Sequence, residues 1–287
     1  MAVARVAVVV ATRGRPEQLA ALRASLDAQT FRDFSLVVVE DVDGRGPAWA
    51  RNEGWRSSSA SLVVFVDDDC VCSPGWLSAL VAETGERGVV VQGRVEPAGS
   101  MGPWSRSLAV PDGPGPWFQT ANILYPRSVL EAVGGFDSDA FPYVGEDTDL
   151  AWRARAEGAS FAWAPDAVVR HDVVRQGFPG ALRFTFRWSD SVALYRRHPA
   201  LRRAALTKRV FWKGSHYLLL RALLTLVLPR RLWGLAAWLW LPYALHLVDR
   251  WRSEGGGPAL APLVALHDMV EMAAIARGAV KHRVPVI

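Results

Sequence analysis

The chain has 287 residues, of which 51% are hydrophobic and 21% are charged, and it contains 13 tryptophans. This composition excludes a disordered tail, a fibre and a small disulfide-stapled module, and the length suits one large domain or one domain with an appendage. Residues 1–169 carry 14 Lys/Arg and 22 Asp/Glu, a net charge of −8, whereas residues 170–287 carry 19 and 6, a net charge of +13. The basic residues interleave with long apolar runs rather than forming a solvated patch, so we expect no nucleic-acid partner.

The two cysteines and the N-terminal residues bear on the compartment. Cys70 and Cys72 are too close in sequence to pair readily, which favours a reducing, cytosolic environment. The apolar run Val3–Ala11 is interrupted by Arg5 and is followed by Thr12-Arg13, without a cleavage-type site. We therefore expect a buried strand there rather than a signal peptide.

Strands and helices alternate over the first 70 residues. The hydrophobic pattern predicts, in order, a strand at Arg5–Ala11, a helix at Pro16–Ala28, a strand at Phe34–Val39, a helix at Pro47–Ser57 and a strand at Ser61–Val66. This order is typical of a doubly wound α/β domain with a mostly parallel sheet, in which ligands bind beyond the carboxyl ends of the strands. Thr12-Arg13, Glu40-Asp41 and Asp67–Asp69 all stand at such ends.

The next hundred residues are expected to complete the sheet. Gly93–Trp117 is rich in Gly, Pro and Trp and predicts a long loop over the ligand-binding edge. Further elements are predicted as a strand at Phe118–Tyr125, a helix from Pro126 to Gly134, a helix at Asp147–Glu157, and strands at Phe161–Trp163 and Val168–Arg170.

Beyond His171 the chain becomes apolar and basic, which predicts a helical extension. Leu232–Val248 has 17 residues without a formal charge and includes three tryptophans. This is about the lower limit for a membrane-spanning helix. Three interpretations remain: a buried helical hairpin, one short span, or helices lying in the membrane interface. Ala259–Val280 contains His267, Asp268 and Glu271 and is therefore expected to be amphipathic rather than spanning.

Asp67–Asp69 is the strongest local motif. Asp67 and Asp69 point to the same side if the extended geometry of the preceding strand persists. Paired carboxylates of this kind suit Mg²⁺ or Mn²⁺ bound to phosphate oxygens. The alternative is a solvated turn that caps the helix expected from Pro74.

A second acidic motif, Gly145–Leu150, stands at a predicted helix start. Acidic residues are favoured there by the helix dipole alone. The functional alternative is a general base that takes a proton from an acceptor hydroxyl. His171 ends a predicted strand, and beside an Asp/Asp metal site it becomes a candidate ligand.

These motifs together resemble glycosyltransferase family 2, whose members are inverting, nucleotide-sugar-dependent enzymes with the GT-A fold. The resemblance covers about residues 5–172. It is carried by segments that occur in the family's order, namely Ala11–Pro16, Glu40-Asp41, Ala50–Gly54, Asp67–Asp69, Thr120–Asn122, Val133–Asp137 and Gly145–Asp147. One departure is the stretch Glu40–Gly44, where the family usually has two aspartates followed by Gly-Ser.

The resemblance implies a role for individual residues. For the nucleotide it implies contacts from Thr12, Arg13, Glu40, Asp41, Arg51, Asp67 and Asp68. It implies Asp67, Asp69 and His171 as ligands of Mn²⁺ or Mg²⁺, and Asp147 as the general base with Glu146 beside it. Asn122, Trp117 and Asp137 are candidates for the sugar or acceptor pocket, because aromatic faces stack on sugars.

We therefore expect a GT-A catalytic domain at residues 1–175 and a helical, membrane-associated region at 176–287. The expected reaction is transfer from a nucleotide-sugar donor, a UDP-sugar above all, to a lipid-linked or cell-envelope glycan at the cytoplasmic face of the membrane. One alternative is a soluble cytoplasmic glycosyltransferase whose C-terminal helices form a homodimer or bind a natural-product acceptor. A non-catalytic nucleotide-sugar binder is the other.

Overall fold

The structure is a computed structural model that describes residues 4–85 and 89–287, so the first residue of the predicted run Val3–Ala11 lies outside it. The chain divides into two compact units. The first comprises residues 1–100 and 107–173, and the second comprises residues 101–106 and 174–287. The strands are β1 (Val6–Thr12), β2 (Phe34–Glu40), β3 (Leu62–Phe65), β4 (Cys70–Cys72), β5 (Val90–Pro97), β6 (Ser105–Arg106), β7 (Ile123–Pro126), β8 (Phe161–His171) and β9 (Val174–Arg175).

Twelve α-helices occur in the described part of the chain. Those of the first unit are α1 (Pro16–Asp27), α2 (Pro47–Ser57), α3 (Trp76–Thr84), α4 (Arg127–Val133) and α5 (Glu146–Ala156). Those of the second unit are α6 (Gly177–Thr185), α7 (Trp188–Ser191), α8 (Ala193–Arg197), α9 (Pro199–Ala205), α10 (Gly214–Leu223), α11 (Ala236–Glu254) and α12 (Ala261–His282).

The first unit is built on a seven-stranded sheet of order β2-β1-β3-β7-β5-β8-β4. β1 pairs in parallel with β2 and β3, and β5 pairs in parallel with β8. β7 is antiparallel to both neighbours, and the edge strand β4 is antiparallel to β8. Five strands therefore run in one direction, which confirms the α/β class and the mostly parallel sheet.

The sheet is buried on both faces, as the continuous β-branched runs predict. Along β1 the residues alternate, so that Val6, Val8 and Val10 pack in one apolar cluster with side chains of α1 and α3. Ala7 and Val9 pack in the other cluster, with side chains of α2, α4 and α5. The carboxyl ends of β1, β2 and β3 thus meet at one edge between two helical layers, where the predicted ligand site lies.

The long loop predicted at 93–117 is only partly a loop. Gly93–Pro97 continues β5, which pairs with β8, and Val110 bridges back to Val95. Residues 105–106 form β6, which pairs with β9 in a separate two-stranded sheet of the second unit. The strand predicted at Phe118–Tyr125 begins only at Ile123, because Thr120–Asn122 forms a 3₁₀ turn.

The second unit contains the helices of the basic C-terminal region. The segment predicted at Leu232–Val248 begins as a 3₁₀ turn at Arg230–Leu235 and continues into α11, whose last turns carry Arg250, Arg252 and Glu254. Within the described residues, the one helix that is long and apolar enough to cross a membrane is Pro258–His282, with a mean hydropathy of 1.5. Only 28% of its most apolar window is buried. This helix is therefore more apolar than the amphipathic segment predicted there.

Candidate active site

The carboxylates of Asp67 and Asp68, which follow β3, point to opposite faces of the sheet. Phe65 packs on the α2 side and Val66 on the α1 side, so the alternation of a strand predicts opposite directions for Asp67 and Asp68. The Oδ1 atom of Asp67 accepts a hydrogen bond from Arg51 of α2 at 2.8 Å. The Oδ2 atom of Asp68 accepts from the Thr12 hydroxyl, at the end of β1, at 2.6 Å.

Asp67, Asp69 and His171 lie together, as the sequence predicts. Their ligand atoms are all within 4.8 Å of one another. The edge strand β4 creates this meeting, because Cys70 is the partner of His171 in its register with β8 and the Asp172 amide donates to the Asp69 carbonyl. A strand of three residues thereby fixes a histidine that is about a hundred positions away in sequence.

The hydrogen bonds of His171 orient its Nε2 atom toward Asp69. Its Nδ1 lies 2.9 Å from the carbonyl oxygen of Asp172, which can only accept, so Nδ1 carries a hydrogen, and in the neutral form of the ring Nε2 holds the lone pair. Nε2 lies 3.3 Å from Asp69 Oδ1, a buried atom that has no hydrogen-bond partner among the described residues. With a neutral ring, an imidazole nitrogen and a carboxylate oxygen placed in this way suit a divalent cation bound by nitrogen and oxygen.

Burial and the nearby Asp67 carboxylate raise the pKa of Asp69, while His171 and Arg15 lower it. The three candidate ligands are a borderline nitrogen and two hard oxygens, a set that Mn²⁺ or Mg²⁺ accepts. The residues present therefore fit the metal that the resemblance implies.

Arg51 joins the candidate metal site to the start of α5. Its Nη2 atom donates to Asp67 and its Nη1 atom donates to Glu146 Oε1, each at 2.8 Å. The side chains of Arg51 and Glu146 are both buried, at 7% and 9% exposure. The planar guanidinium of arginine can bridge two carboxylates in this way, whereas the point charge of a lysine has no such fixed geometry. Glu146 is thus committed to positioning Arg51.

Asp147 is the carboxylate next to this pair. Its Oδ1 atom accepts from the Thr148 amide at 2.7 Å, and Oδ2 has no partner among the described residues. Burial raises the pKa of Asp147 to about 7, the Glu146 carboxylate adds to the rise, and the Thr148 amide and Arg51 oppose it. A carboxylate with a free oxygen and a pKa near neutrality is suited to accept a proton in a reaction at physiological pH.

The loop after β2 is held by Asp41. This side chain is 5% exposed, and its two oxygens accept from the amides of Arg45 and Gly46 at 2.7 and 2.8 Å. Arg13 lies against this loop, since a Cβ atom on Gly44 would come within 2.9 Å of its guanidinium. Glu40, the register partner of Thr12, is exposed at the same edge. The predicted nucleotide contacts of these residues stay predictions, and Asp41 also has a clear structural task.

The three residues predicted to contact the sugar or the acceptor lie in three different environments. Asn122 is fully buried, and its amide donates to the carbonyls of Arg94 and Ala167 and accepts from Trp76 Nε1. The prediction of a sugar contact at Asn122 is therefore wrong, because every polar atom of its side chain is used in the core. Trp117 is partly exposed and accepts from the Thr148 hydroxyl through its carbonyl. Asp137 is partly exposed and caps its own turn at Ala140.

Two residues of the site, Arg15 and Ser107, were not predicted from the sequence. Arg15 donates to Asp68 Oδ1 at 3.1 Å and to Asp69 Oδ2 at 2.9 Å, so both oxygens of Asp68 are engaged within the protein. The Ser107 hydroxyl donates to the His171 carbonyl at 3.1 Å and lies 3.3 Å from its Nδ1 atom. The position of Arg15 just after the first strand was a usable signal, whereas no local pattern marks Ser107.

Comparison with known proteins bears on the family. Residues 27–143 match the sequence model of glycosyl transferase family 2. A pre-mycofactocin glycosyltransferase of Mycobacterium tuberculosis is 30% identical over an aligned length of 180 residues, and the match covers 57% of this chain and 38% of that protein. A validoxylamine A glucosyltransferase of Streptomyces hygroscopicus is 27% identical over an aligned length of 164 residues, and the match covers 44% of this chain and 38% of that protein. The chain thus spans about two fifths of the length of the curated relatives that it matches.

A solved structure extends the similarity of the fold. The mannosyltransferase of Pyrobaculum calidifontis in complex with GDP-Man and Mn²⁺ superposes with a TM-score of 0.57 at 18% identity, over 99% of this chain and 88% of that chain. At this identity the likeness concerns the fold. This chain therefore has the GT-A fold, and its residues 27–143 match the sequence model of glycosyl transferase family 2.

Proposed function

We propose that the protein is a divalent-metal-dependent, inverting glycosyltransferase that moves a sugar from a nucleotide diphosphate to an acceptor hydroxyl. The observation that carries this proposal is the convergence of Asp67, Asp69 and His171, with His171 Nε2 lying 3.3 Å from Asp69 Oδ1. A bound Mn²⁺ or Mg²⁺ would neutralise the charge that develops on the leaving diphosphate. The family match and the relatives named glycosyltransferases support the reaction class.

In the proposed reaction Asp147 removes the proton of the acceptor hydroxyl. The acceptor oxygen then forms its bond to the anomeric carbon while the bond from that carbon to the diphosphate oxygen breaks. The electron pair leaves with the nucleoside diphosphate, and the proton stays on Asp147. A single displacement of this kind inverts the anomeric configuration. Arg51 binds both Asp67, a candidate metal ligand, and Glu146, the neighbour of the proposed base, and so fixes the position of one relative to the other.

For the donor we propose a UDP-sugar held by Thr12, Arg13, Glu40 and Asp41 at the nucleoside end, with Arg51 near the phosphate end and Asp68 acting through Thr12 and Arg15, which it binds. Apart from Arg51, which reaches the site from α2, these residues stand at or beside the carboxyl ends of β1, β2 and β3, where ligands bind in open α/β sheets. The mannosyltransferase with a similar fold is complexed with GDP-Man. Uridine and guanosine donors are therefore the pair to compare.

For the acceptor we propose a lipid-linked or cell-envelope glycan reached from the cytoplasmic face of the membrane. The net charge of +13 and the apolar helices beyond residue 170 support this location. A second candidate is a natural-product acceptor, used by a soluble or homodimeric enzyme. It is favoured by the names of the two curated relatives, pre-mycofactocin glycosyltransferase and validoxylamine A glucosyltransferase, neither of which mentions a lipid or an envelope polymer.

The test is a thermal-shift and product-release screen of UDP-sugars and GDP-Man with and without Mn²⁺. We expect donor and metal together to raise the melting temperature, because ligands that bind only the folded state stabilise it. Asp69→Asn and His171→Ala should abolish the metal-dependent part of this shift and of nucleoside diphosphate release. Asp166→Asn, which alters an exposed carboxylate of the strand that carries His171, is the matched control and should behave as wild type. Full metal-dependent activity in both ligand variants would contradict the assigned site.

A further inference from the structure

The second unit presents an unusual concentration of exposed apolar side chains. Of the eighteen large hydrophobic residues that are exposed in the described chain, ten lie within residues 224–245. The six most exposed of these ten, at 57–78% of their surface, are Leu226, Val227, Trp233, Trp238, Leu241 and Leu245. We call these six the apolar surface. Exposed apolar groups gathered in this way mark a site of interaction with a protein or a membrane.

The three residues of the apolar surface that belong to α11 lie on one side of that helix. Trp238, Leu241 and Leu245 follow the spacing i, i+3, i+7, which places them on one face. Tyr243 is buried, and its hydroxyl donates to Asp268 of α12 at 3.1 Å. One face of the helix is therefore tied to the rest of the unit while the other is open, an arrangement that fits a helix lying along a surface better than one crossing a bilayer.

The formal charges between the first and the last residue of the apolar surface have one sign, and the exposed Asp249 follows one turn after Leu245. Residues 224–248 contain no Asp or Glu, and Arg230 and Arg231 are both exposed. The guanidinium of Arg221 lies 4.6 Å from the ring centre of Trp238. Tryptophan and arginine beside an open aliphatic face are the combination found at the headgroup level of membranes.

A second copy of this chain is a poorer occupant than a lipid. A two-fold interface would bring the same patch of each copy together, so Arg230-Arg231 would face like charges with no carboxylate in the segment to compensate. The partner that complements an apolar face bordered by arginines is an apolar layer bordered by anions. An anionic phospholipid bilayer has that composition.

We propose that the apolar surface docks the protein in the plane of an anionic phospholipid bilayer, with Trp233 and Trp238 at headgroup level and Arg230-Arg231 on lipid phosphate. This proposal rests on the membrane location proposed above and is independent of the transfer chemistry. It assigns docking to the segment 224–245, although the helix Pro258–His282 has the composition of a span. The donor site stays in the water-soluble unit and needs no lipid for donor binding.

Vesicle flotation of the full chain tests the proposal. Wild-type protein should float with vesicles of phosphatidylcholine and phosphatidylglycerol at 7:3 and much less with phosphatidylcholine alone. Since each basic residue near an anionic surface contributes about a factor of five, Arg230→Ser with Arg231→Ser should weaken binding to the anionic vesicles about thirty-fold. Trp233→Ser, Trp238→Ser and Leu241→Ser together should weaken it at least ten-fold.

Matched variants separate docking from folding and from catalysis. Met101→Ser, Phe186→Ser and Val280→Ser change three exposed apolar residues of the second unit outside the apolar surface and should float as wild type. All variants should keep the wild-type circular dichroism spectrum and the thermal shift with UDP and Mn²⁺, so that loss of docking is distinguishable from failure of the proposed function. Wild type that remains unbound to anionic vesicles, or a serine variant that floats undiminished, would overturn the proposal. The proposal would also be overturned if light scattering showed a dimer in the absence of vesicles and the Trp233→Ser, Trp238→Ser, Leu241→Ser variant abolished that dimer.

Discussion

At the scale of single residues, Asp147 has the three properties that a general base requires. One of its oxygens is fixed by the Thr148 amide, the other has no partner among the described residues, and burial raises its pKa to about 7. Glu146 differs, because its Oε1 atom is ion-paired with the buried guanidinium of Arg51. Two adjacent carboxylates of one helix start thus have different environments, and we assign the general base to Asp147.

The first prediction concerns the pH dependence of transfer. Asp147 acts in its deprotonated form, so kcat/KM should rise with pH on a limb with an apparent pKa of about 7 and fall about ten-fold per unit below it. Asp147→Asn should lower kcat by about 10³ and leave donor binding largely intact. The measurements are a pH–rate profile at saturating Mn²⁺ and a thermal shift with the donor.

Asp139→Asn, an exposed carboxylate shortly before α5, serves as the control and should keep both the rate and the profile of wild type. Retained turnover in Asp147→Asn, or a wild-type profile that is flat between pH 5.5 and 8, would show that another group takes the proton.

The carboxylates of the site could be predicted from the sequence because each follows a strand or begins a helix, and strand alternation predicts which of them point together. Asp67 and Asp69 are examples of this. The role of Asn122 could not be predicted in this way. Its three partners, Trp76, Arg94 and Ala167, come from separate elements, and an asparagine with all its polar atoms satisfied inside the core has no distinctive local pattern.

At the scale of elements, the turn Gly134-Gly135 connects α4, α2 and α5. Arg153 of α5 donates to the carbonyls of Val133 and Gly135, and Asn52 of α2 exchanges hydrogen bonds with the backbone of Phe136. Asn52 lies one residue from Arg51. The turn therefore helps to fix the two helices whose side chains meet at the Arg51–Glu146 pair.

The second prediction compares alanine at the two glycines. Both have positive φ, +75° at Gly134 and +78° at Gly135, so each substitution costs about 1 kcal/mol of backbone strain. A Cβ atom on Gly134 would meet nothing within 4 Å, whereas one on Gly135 would lie 2.5 Å from Asn52 Oδ1. Gly135→Ala should therefore lower the free energy of unfolding by about 3 kcal/mol, against about 1 kcal/mol for Gly134→Ala.

Urea unfolding monitored by fluorescence measures this difference, and Gly134→Ala serves as the internal control for strain alone. Gly135→Ala should also reduce transfer, because displacement of Asn52 moves the neighbouring Arg51. Equal losses of stability in the two variants would mean that the close approach to Asn52 carries no energy.

Long elements with clear periodicity were predictable, while short and tertiary ones were not. β1, β2 and α2 lie within a residue or two of their predicted bounds, because β-branched runs and a proline at the first helical turn are strong local signals. β4 has three residues and exists only through its pairing with β8. The antiparallel direction of β7 likewise depends on its neighbours β3 and β5 and is invisible in its own sequence.

At the scale of the whole molecule, the uneven charge of the sequence has a structural counterpart in two compact units. The first unit holds the carboxylates of the candidate active site, and the second holds the basic helices. The second unit nevertheless buries acidic groups of its own. Glu271 of α12 is 1% exposed and accepts two hydrogen bonds from Lys213, each at 2.8 Å, and its Oε2 atom lies 3.2 Å from His216 Nε2.

The last prediction concerns the stability of this second unit in acid. The hydrogen bond from His216 and the charge of Lys213 outweigh burial and lower the pKa of Glu271 from 4.5 to about 2. A depressed carboxyl pKa contributes stability that is complete above pH 4.5 and is lost as pH falls toward 2, and a shift of this size corresponds to about 3 kcal/mol. Glu271→Gln should therefore be less stable than wild type by about 3 kcal/mol at pH 6 and by roughly half of that at pH 3. Urea unfolding at the two pH values, followed by tryptophan fluorescence, measures the gap. Asp249→Asn, an exposed carboxylate of α11, should show no such gap, and a gap for Glu271→Gln that does not change with pH would mean that the ion pair with Lys213 is not what stabilises these helices.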